Sequence, residues 1–405
     1  MFERDRNPPE KFSTTPDLET TEFVAYEKLD KSLEQRLKRR SRMPIKLGAV
    51  ALAFATVGSV YWTDVEENRN ERAEAKVSIN IVGEAVDEAN SDKATLFIDG
   101  FNTYDANYLT KSIGDAARQV ADGEQWSLSY NNAILNREQI YETIIETAEE
   151  RGIESISIAG YSMGGIIAVE AASDVVANSS IEVNTFTMMH TPDGTEGLQT
   201  KPKNELSFLQ DLVKWFPGAI DSTYVRFFGE LYSYKDLYTK GEFKDWDITH
   251  NAKVISDNIG RFSRTFNSLW PKVNNPKGTS LQLMLEQGYK IDHFSMKNEL
   301  ERITAEGDSK QMPVGLYLSM ENDSTVKNQE TADSFTVSTH ETGIKFHKYT
   351  VPDAVHSQYY KTIDEYMQAF DRVSGVMARD VEEEKEKHEA YLAYQDEISI
   401  LAEEQ

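Results

Sequence analysis

Ser162 lies in Gly160-Tyr161-Ser162-Met163-Gly164-Gly165, between a strand-like run, Ile153 to Ala159, and a helix-like one, Ile166 to Ala172. A strand that reverses into a helix within a few residues forces its central residue into strained backbone geometry. Glycines two positions before and after, Gly160 and Gly164, remove the side chains that would collide. The chemistry such a turn supports is nucleophilic attack. Ser162 Oγ is expected to project from the carboxyl edge of a sheet, with the first N–H groups and the positive end of the following helix aimed at the same spot. A serine there has an ordinary use too, as a helix N-cap, so partners elsewhere in the chain decide between the two.

A serine nucleophile needs a base, and the base needs an orienting acid. Pro313 to Ser319 reads as a buried strand that breaks into Met320-Glu321-Asn322-Asp323-Ser324-Thr325-Val326, setting Asp323 just past its end. Gly343 to Val351 reads as the next strand, followed by Pro352-Asp353-Ala354-Val355-His356-Ser357, which sets His356 in the loop beyond. A carboxylate and an imidazole at the ends of successive strands let Asp323 hold the His356 tautomer while the other ring nitrogen takes the Ser162 proton. Glu321 and Asp193 are the alternative acids. Among the seven histidines, His347 falls in a strand pattern, His388 in a charged tail, and His250, His293 and His340 in polar stretches. His190 follows the strand Val183 to Met189 at the same edge and, with Tyr161, is a candidate for lining the pocket.

The elbow, the Asp323-Ser324-Thr325-Val326 loop and the Val351-Pro352-Asp353-Ala354-Val355-His356 loop together resemble the α/β-hydrolase superfamily, in outline over residues 77 to 378. That resemblance implies a mainly parallel sheet with helices on both faces, a Ser162–His356–Asp323 triad and carboxylic ester hydrolysis. It also implies an oxyanion hole. Thr95 to Asn102 reads as a strand opening into a loop where family members carry a His-Gly pair, and by position the Phe101 and Met163 N–H groups are the two donors. Here the pair is Asp99-Gly100, a departure that leaves the loop's anchoring to be explained. Two rival functions stand beside the esterase: a cell-envelope acyltransferase using the same triad, and a noncatalytic surface or scaffold protein on the same fold.

The elements that must position these residues alternate along the chain. Strand patterns at 77–82, 94–99, 125–130 and 153–159 are interleaved with helical periodicity at 107–121, 136–151 and 164–178, which implies parallel strands covered by helices. The core is thus expected to span residues 77–193 and 311–378. Some 120 residues separate the strand ending near Met189 from the one starting at Pro313, far more than a crossover needs. Residues 194–310 are therefore read as an aromatic-rich insertion, by resemblance a helical cap roofing an acyl pocket. A helix is expected from 357 to 377, and 379–405 reads as a charged helical tail with Tyr391, Tyr394, Ile398 and Leu401 on one stripe.

Ile45 to Trp62 is apolar except for Lys46 at its edge. Eighteen such residues reach about 27 Å as a helix, close to the hydrocarbon thickness of a bilayer, which predicts one transmembrane span over 45–62. Arg36 to Lys46 holds six basic residues and no acid, whereas Asp64 to Lys76 holds five acids against three bases. That asymmetry keeps residues 1–44 cytoplasmic, with 1–22 polar and Tyr26, Leu29, Leu33 and Leu37 on a short helix, and places the domain outside the cytoplasm beyond a spacer at 63–76.

Composition excludes other classes. With no cysteine the chain has no disulfide and no thiolate nucleophile. No metal-binding spacing occurs, so the expected chemistry uses neither metal nor cofactor. The first 46 residues carry eleven basic and nine acidic side chains, which leaves 32 basic and 59 acidic in the remainder. Such a surface repels phosphates and excludes nucleic acid as a partner. The expected substrate is a small or lipid-like acyl ester; the sequence sets no oligomeric state.

Overall fold

The computed structural model describes residues 56–215, 217–242, 248–273, 279–306, 310–321, 323–356 and 359–403. The chain divides into two units, Met1–Thr63 and Asp64–Gln405. Of the first, residues 56–63 are described and are helical. The tail read for 1–44 and most of the membrane span read for 45–62 lie outside the described residues, among which no helix is long and apolar enough to cross a membrane.

In the second unit a helix over residues 64–74 (α1) occupies most of what reads in sequence as a spacer. Its order has a cause: Arg72 pairs with the buried Asp221, Arg69 joins the same carboxylate at 3.1 Å, and Asp64 accepts from Ser222 Oγ and Thr223 N–H, both at 2.9 Å. Charges placed on one helix face thus find partners 150 residues away, which no local pattern signals.

The sheet has seven strands: β1 (Ser78–Gly83), β2 (Lys93–Ile98), β3 (Glu124–Ser129), β4 (Ser155–Tyr161), β5 (Glu182–Met189), β6 (Val314–Met320) and β7 (Phe346–Val351). Their order is β1-β3-β2-β4-β5-β6-β7, with β1 antiparallel to β3 and every other pair parallel. Helices α2 (Asn107–Ala117), α3 (Arg137–Arg151) and α4 (Met163–Asn178) make the early crossovers. Then come α5 (Thr200–Trp215), α6 (Thr223–Ser233), α7 (Lys235–Tyr238), α8 (Ile248–Val273), α9 (Leu281–His293) and α10 (Met296–Ala305), followed by α11 (Asn328–Thr342) and α12 (Ile363–Glu403). The result is a mainly parallel sheet covered by helices on both faces, as the sequence predicts.

Alternation along the strands feeds two separate cores. Leu96, Ile98, Ile156, Ile158, Phe186, Met188 and Tyr317 face α3, α4, α9, α10 and α11. Phe97, Ala159, Tyr161, Met189, Leu316 and Leu318 face α2 and α12. Helix α4 is buried from Met163 through Val176, so the helix behind Ser162 is clamped on all sides.

The long insertion splits in two. Phe227, Leu231, Leu269 and Val273 make a small cluster of their own with Tyr238 and Trp270. Helices α9 and α10 instead contribute Leu283, Ile291, Met296, Leu300 and Ile303 to the main core. They are also pinned to α4 by charge: Lys290 Nζ meets Glu170 at 2.8 Å, Arg302 meets Asp174 at 2.8 Å, and Arg137 bridges Asp174 and Glu299. At the C-terminal end, the helix and the tail expected separately form one 41-residue helix. Its face is buried as far as Met377, while Tyr394 and Ile398 of the expected stripe are exposed.

Close backbone approach explains the elbow glycines. A Cβ on Gly160 would lie 2.1 Å from Gly164 O, and one on Gly164 would lie 2.2 Å from Ile98 O. Both obstacles are main chain, which cannot rotate aside. Gly160→Ala is therefore expected to cost about 3 kcal/mol or more of folding stability, or to prevent folding, as read by urea denaturation; a loss under about 1 kcal/mol would contradict this packing.

Candidate active site

Ser162 has φ 53° and ψ −127°, positive-φ geometry that a non-glycine residue holds only when its surroundings demand it. Its N–H donates to Met189 O at 2.7 Å, which ties the elbow to the neighbouring strand. Its hydroxyl makes no cap hydrogen bond to α4, so the N-cap reading does not describe this serine. The Oγ instead lies 3.0 Å from His356 Nε2.

Asp323 follows β6 and His356 follows β7, and parallel pairing of those strands puts the two loops side by side. His356 Nδ1 donates to Asp323 Oδ2 at 2.9 Å. The other carboxylate oxygen accepts from Thr325 N–H at 2.7 Å and Val326 N–H at 3.0 Å. Burial pushes the Asp323 carboxyl up, but the His356 contact and the two amides outweigh it and hold the group below the ordinary carboxylate value. An ionised carboxylate accepts only, so Nδ1 carries the proton and Nε2 faces Ser162 as an acceptor. The rival acids are elsewhere: Asp193 accepts from Ser334 Oγ and Glu321 is exposed.

Tyr161 and His190 sit beneath this line rather than on an open wall, at 2% and 0% exposure. Tyr161 meets His190 edge-on at 5.3 Å and lies 5.6 Å from the His356 ring. His190 Nε2 bonds to the Tyr366 hydroxyl, and burial, reinforced by the neighbouring His356, holds its pKa well below the ordinary value, so the ring is neutral. These aromatic side chains floor the site.

The loop after β2 closes the opposite side. A Cβ on Gly100 would sit 2.8 Å from Ser162 Cβ and 3.4 Å from Ser162 Oγ, so only glycine lets this loop approach the serine. Within it, Gly100 N–H is taken by Asp99 Oδ1 at 2.7 Å and Asn102 N–H by Gln287 Oε1 at 2.9 Å. Phe101 N–H lies between them and has no protein acceptor among the described residues. Met163 N–H opens α4 and is one of the amides that a helix leaves unpaired.

Asp99, the departure from the family pair, is a buried anchor. It caps Gly100, accepts from Tyr359 OH at 3.2 Å through Oδ2, and its main-chain oxygen accepts from Tyr130 OH at 3.0 Å. Burial pushes its carboxyl up to about 6, against the pull of the Gly100 N–H and the Tyr359 hydroxyl. Tyr130, Tyr359, Tyr366 and Gln287 were invisible as site residues in the sequence; only the odd Asp-Gly pair hinted that another anchor was needed. A cavity of about 700 Å³ lined by Glu71, Arg72, Tyr104, Asp221 and Arg226 includes none of Ser162, Asp323 and His356. Ser162 itself is partly exposed.

No protein-family model matches the chain, and no curated protein does. Among solved structures it is similar to a thermostable carboxyl esterase from Bacillus coagulans, at 12% identity over 76% of this chain and 96% of that one, with a TM-score of 0.46. It is also similar to an esterase from Exiguobacterium antarcticum, at 10% identity over 74% and 96%, TM-score 0.45. A structure described under carboxylesterases of Nitrososphaera gargenis aligns at 11% identity over 75% and 96%, TM-score 0.43. The chemistry of the site rests on contacts within this chain.

The buried acid has a measurable signature. Because the folded-state pKa of Asp99 lies above 3.8, the folded chain holds that proton more tightly than the unfolded one. The stability this contributes is complete below pH 3.8 and is lost as pH rises through about 6, by up to about 3 kcal/mol. Asp99→Asn lacks the titration, so its stability relative to wild type is expected to improve between pH 4 and 7.5, measured by denaturant unfolding at each pH. A difference that stays flat with pH would refute the buried-acid assignment.

Proposed function

We propose that this protein is a membrane-tethered serine hydrolase that cleaves carboxylic esters of small or lipid-like acyl substrates outside the cytoplasm. The observation that carries the reading is the unbroken line from Asp323 Oδ2 through both ring nitrogens of His356 to Ser162 Oγ, at 2.9 and 3.0 Å, ending on a backbone-strained serine.

In the proposed reaction Ser162 Oγ attacks the ester carbonyl carbon while His356 Nε2 takes the hydroxyl proton. Asp323 stabilises the imidazolium and stays ionised. The Phe101 and Met163 amides hold the oxyanion, and the collapsing intermediate expels the alcohol, which receives the proton from His356. Water then attacks the acyl-enzyme, giving its proton to the same nitrogen, and the acid leaves with Ser162 restored.

The tether rests on the apolar run Ile45 to Trp62 and the basic flank before it. Lacking native cysteine, the chain accepts single reporters cleanly. A membrane-impermeant maleimide is expected to label V86C, at a position 78% exposed, on intact cells and to leave S41C unlabelled until the membrane is opened. Deleting residues 45–62 is expected to move the protein from the membrane to the soluble fraction. Labelling in the reverse order would invert the topology, and an unchanged distribution would remove the tether.

Catalysis is tested by turnover of an ester panel and by fluorophosphonate labelling of the full-length protein. Ser162→Ala is expected to lose at least about 10,000-fold in kcat and all labelling, and Asp323→Asn about 1,000- to 10,000-fold in kcat. Equal labelling of wild type and Ser162→Ala would end the hydrolase reading.

A further inference from the structure

The Phe101 amide is one of the two proposed oxyanion donors, and among the described residues no side chain bonds to it directly. Its orientation is decided one bond earlier. The Gly100 carbonyl and the Phe101 N–H belong to a single planar trans peptide, so they point in opposite directions. Holding the carbonyl fixes the amide.

Two groups hold that carbonyl. Thr103 Oγ1 donates to Gly100 O at 2.6 Å from within the loop, and Gln287 Nε2 donates to it at 3.5 Å from helix α9. The same Gln287 amide reaches Thr103 O at 3.5 Å, and its Oε1 takes the Asn102 N–H at 2.9 Å. Asn102 has φ 62°, so the loop turns sharply at the residue that Gln287 captures. Gln287 is 0% exposed, where an amide stays only if its hydrogen bonds are made.

Helix α9 is a firm base for this contact. Glu286 accepts from Leu135 N–H, Lys290 meets Glu170 on α4, and Ser280 N–H at the helix start donates to Asn132 Oδ1 at 2.7 Å. Helix α4 carries Met163, the other proposed donor, at its first turn. One helix of the insertion therefore touches the supports of both amides.

We infer that Gln287 is a positioning residue of the oxyanion hole, clamping the peptide planes on either side of Phe101 so that its N–H is pre-aimed at the charge that develops on the substrate. The inference deepens the hydrolase reading and rests on it. Gln287 touches no reacting atom. Its effect belongs to the transition state, because a preorganised donor acts where charge appears rather than on the neutral ester.

Gln287→Leu keeps the volume and removes the clamp; Gln287→Glu restores it only when protonated, since the acid can then accept from Asn102 and donate to Gly100 as the amide does. In full-length protein, Gln287→Leu is expected to lower kcat and the fluorophosphonate rate constant by about 10- to 100-fold, with KM within about threefold of wild type. The kcat of Gln287→Glu relative to wild type at the same pH is expected to rise as pH falls, while the Gln287→Leu ratio stays flat and controls for Asp99, which every one of these proteins carries. Melting temperatures establish that each variant is folded, and Gln287→Met replaces the leucine variant should that one fail to fold. A folded apolar variant with unchanged kcat, a loss confined to KM, or a flat ratio for Gln287→Glu overturns the clamp while leaving the hydrolase reading in place. Wild-type protein that neither turns over esters nor labels overturns the hydrolase reading, and the clamp falls with it.

Discussion

The candidate site depends on keeping Ser162 at φ 53° and ψ −127°. A non-glycine residue in such backbone costs on the order of 1–3 kcal/mol and relaxes unless its neighbours leave it nowhere to go. Here they do. The Ser162 N–H is bound to Met189 O, Gly160 and Gly164 stack main chain against main chain, and α4 is buried along most of its length. Even Gly165 contributes, because a Cβ there would overlap Thr191 Oγ1. The packing of β4, β5 and α4 thus converts core stability into an exposed, directed hydroxyl.

Around that fixed point the site is assembled from both directions. The β6 and β7 loops bring a carboxylate and an imidazole from one side, with each proton position set by an acceptor-only Asp323. The β2 loop comes from the other, and Asp99 organises it from below by holding one amide, one tyrosine hydroxyl and, through its carbonyl, a second. An aspartate where the resembled superfamily carries a histidine therefore leaves the loop anchored, by a different set of contacts and with a carboxyl that burial makes unusually reluctant to ionise. The insertion supplies the last support through α9, which packs into the main core and is tied to α4 by the Lys290–Glu170 pair. Its earlier helices, with their own cluster around Phe227 and Leu269, form a distinct body of packing.

Much of the fold was legible because its signals are local. Helices expected over 136–151 and 164–178 occur at Arg137–Arg151 and Met163–Asn178, since apolar spacing marks both and Gly152, in left-handed geometry, ends the first. The strands before the elbow and before Asp323 show as β-branched and apolar runs for the same reason. Less legible were the segments whose order comes from partners far along the chain. Residues 64–74 look like a charged linker until Asp221 is seen to bind Arg69 and Arg72. The tail after Met377 reads as separate because burial stops there, yet the backbone continues as one helix to Glu403.

The sequence by itself determined the period-two strands, the period-3.6 helices and the glycine-flanked turn, because each is written in neighbouring residues, and with them the order in which serine, acid and histidine follow one another. Only the tertiary structure decided which acid meets His356, that Asp99 and Tyr359 share a hydrogen bond, and that Gln287 reaches a loop 185 residues before it. Those contacts depend on the register of parallel strands and the docking of α9, and hydrogen bonds discriminate over fractions of an ångström that no spacing along a chain encodes.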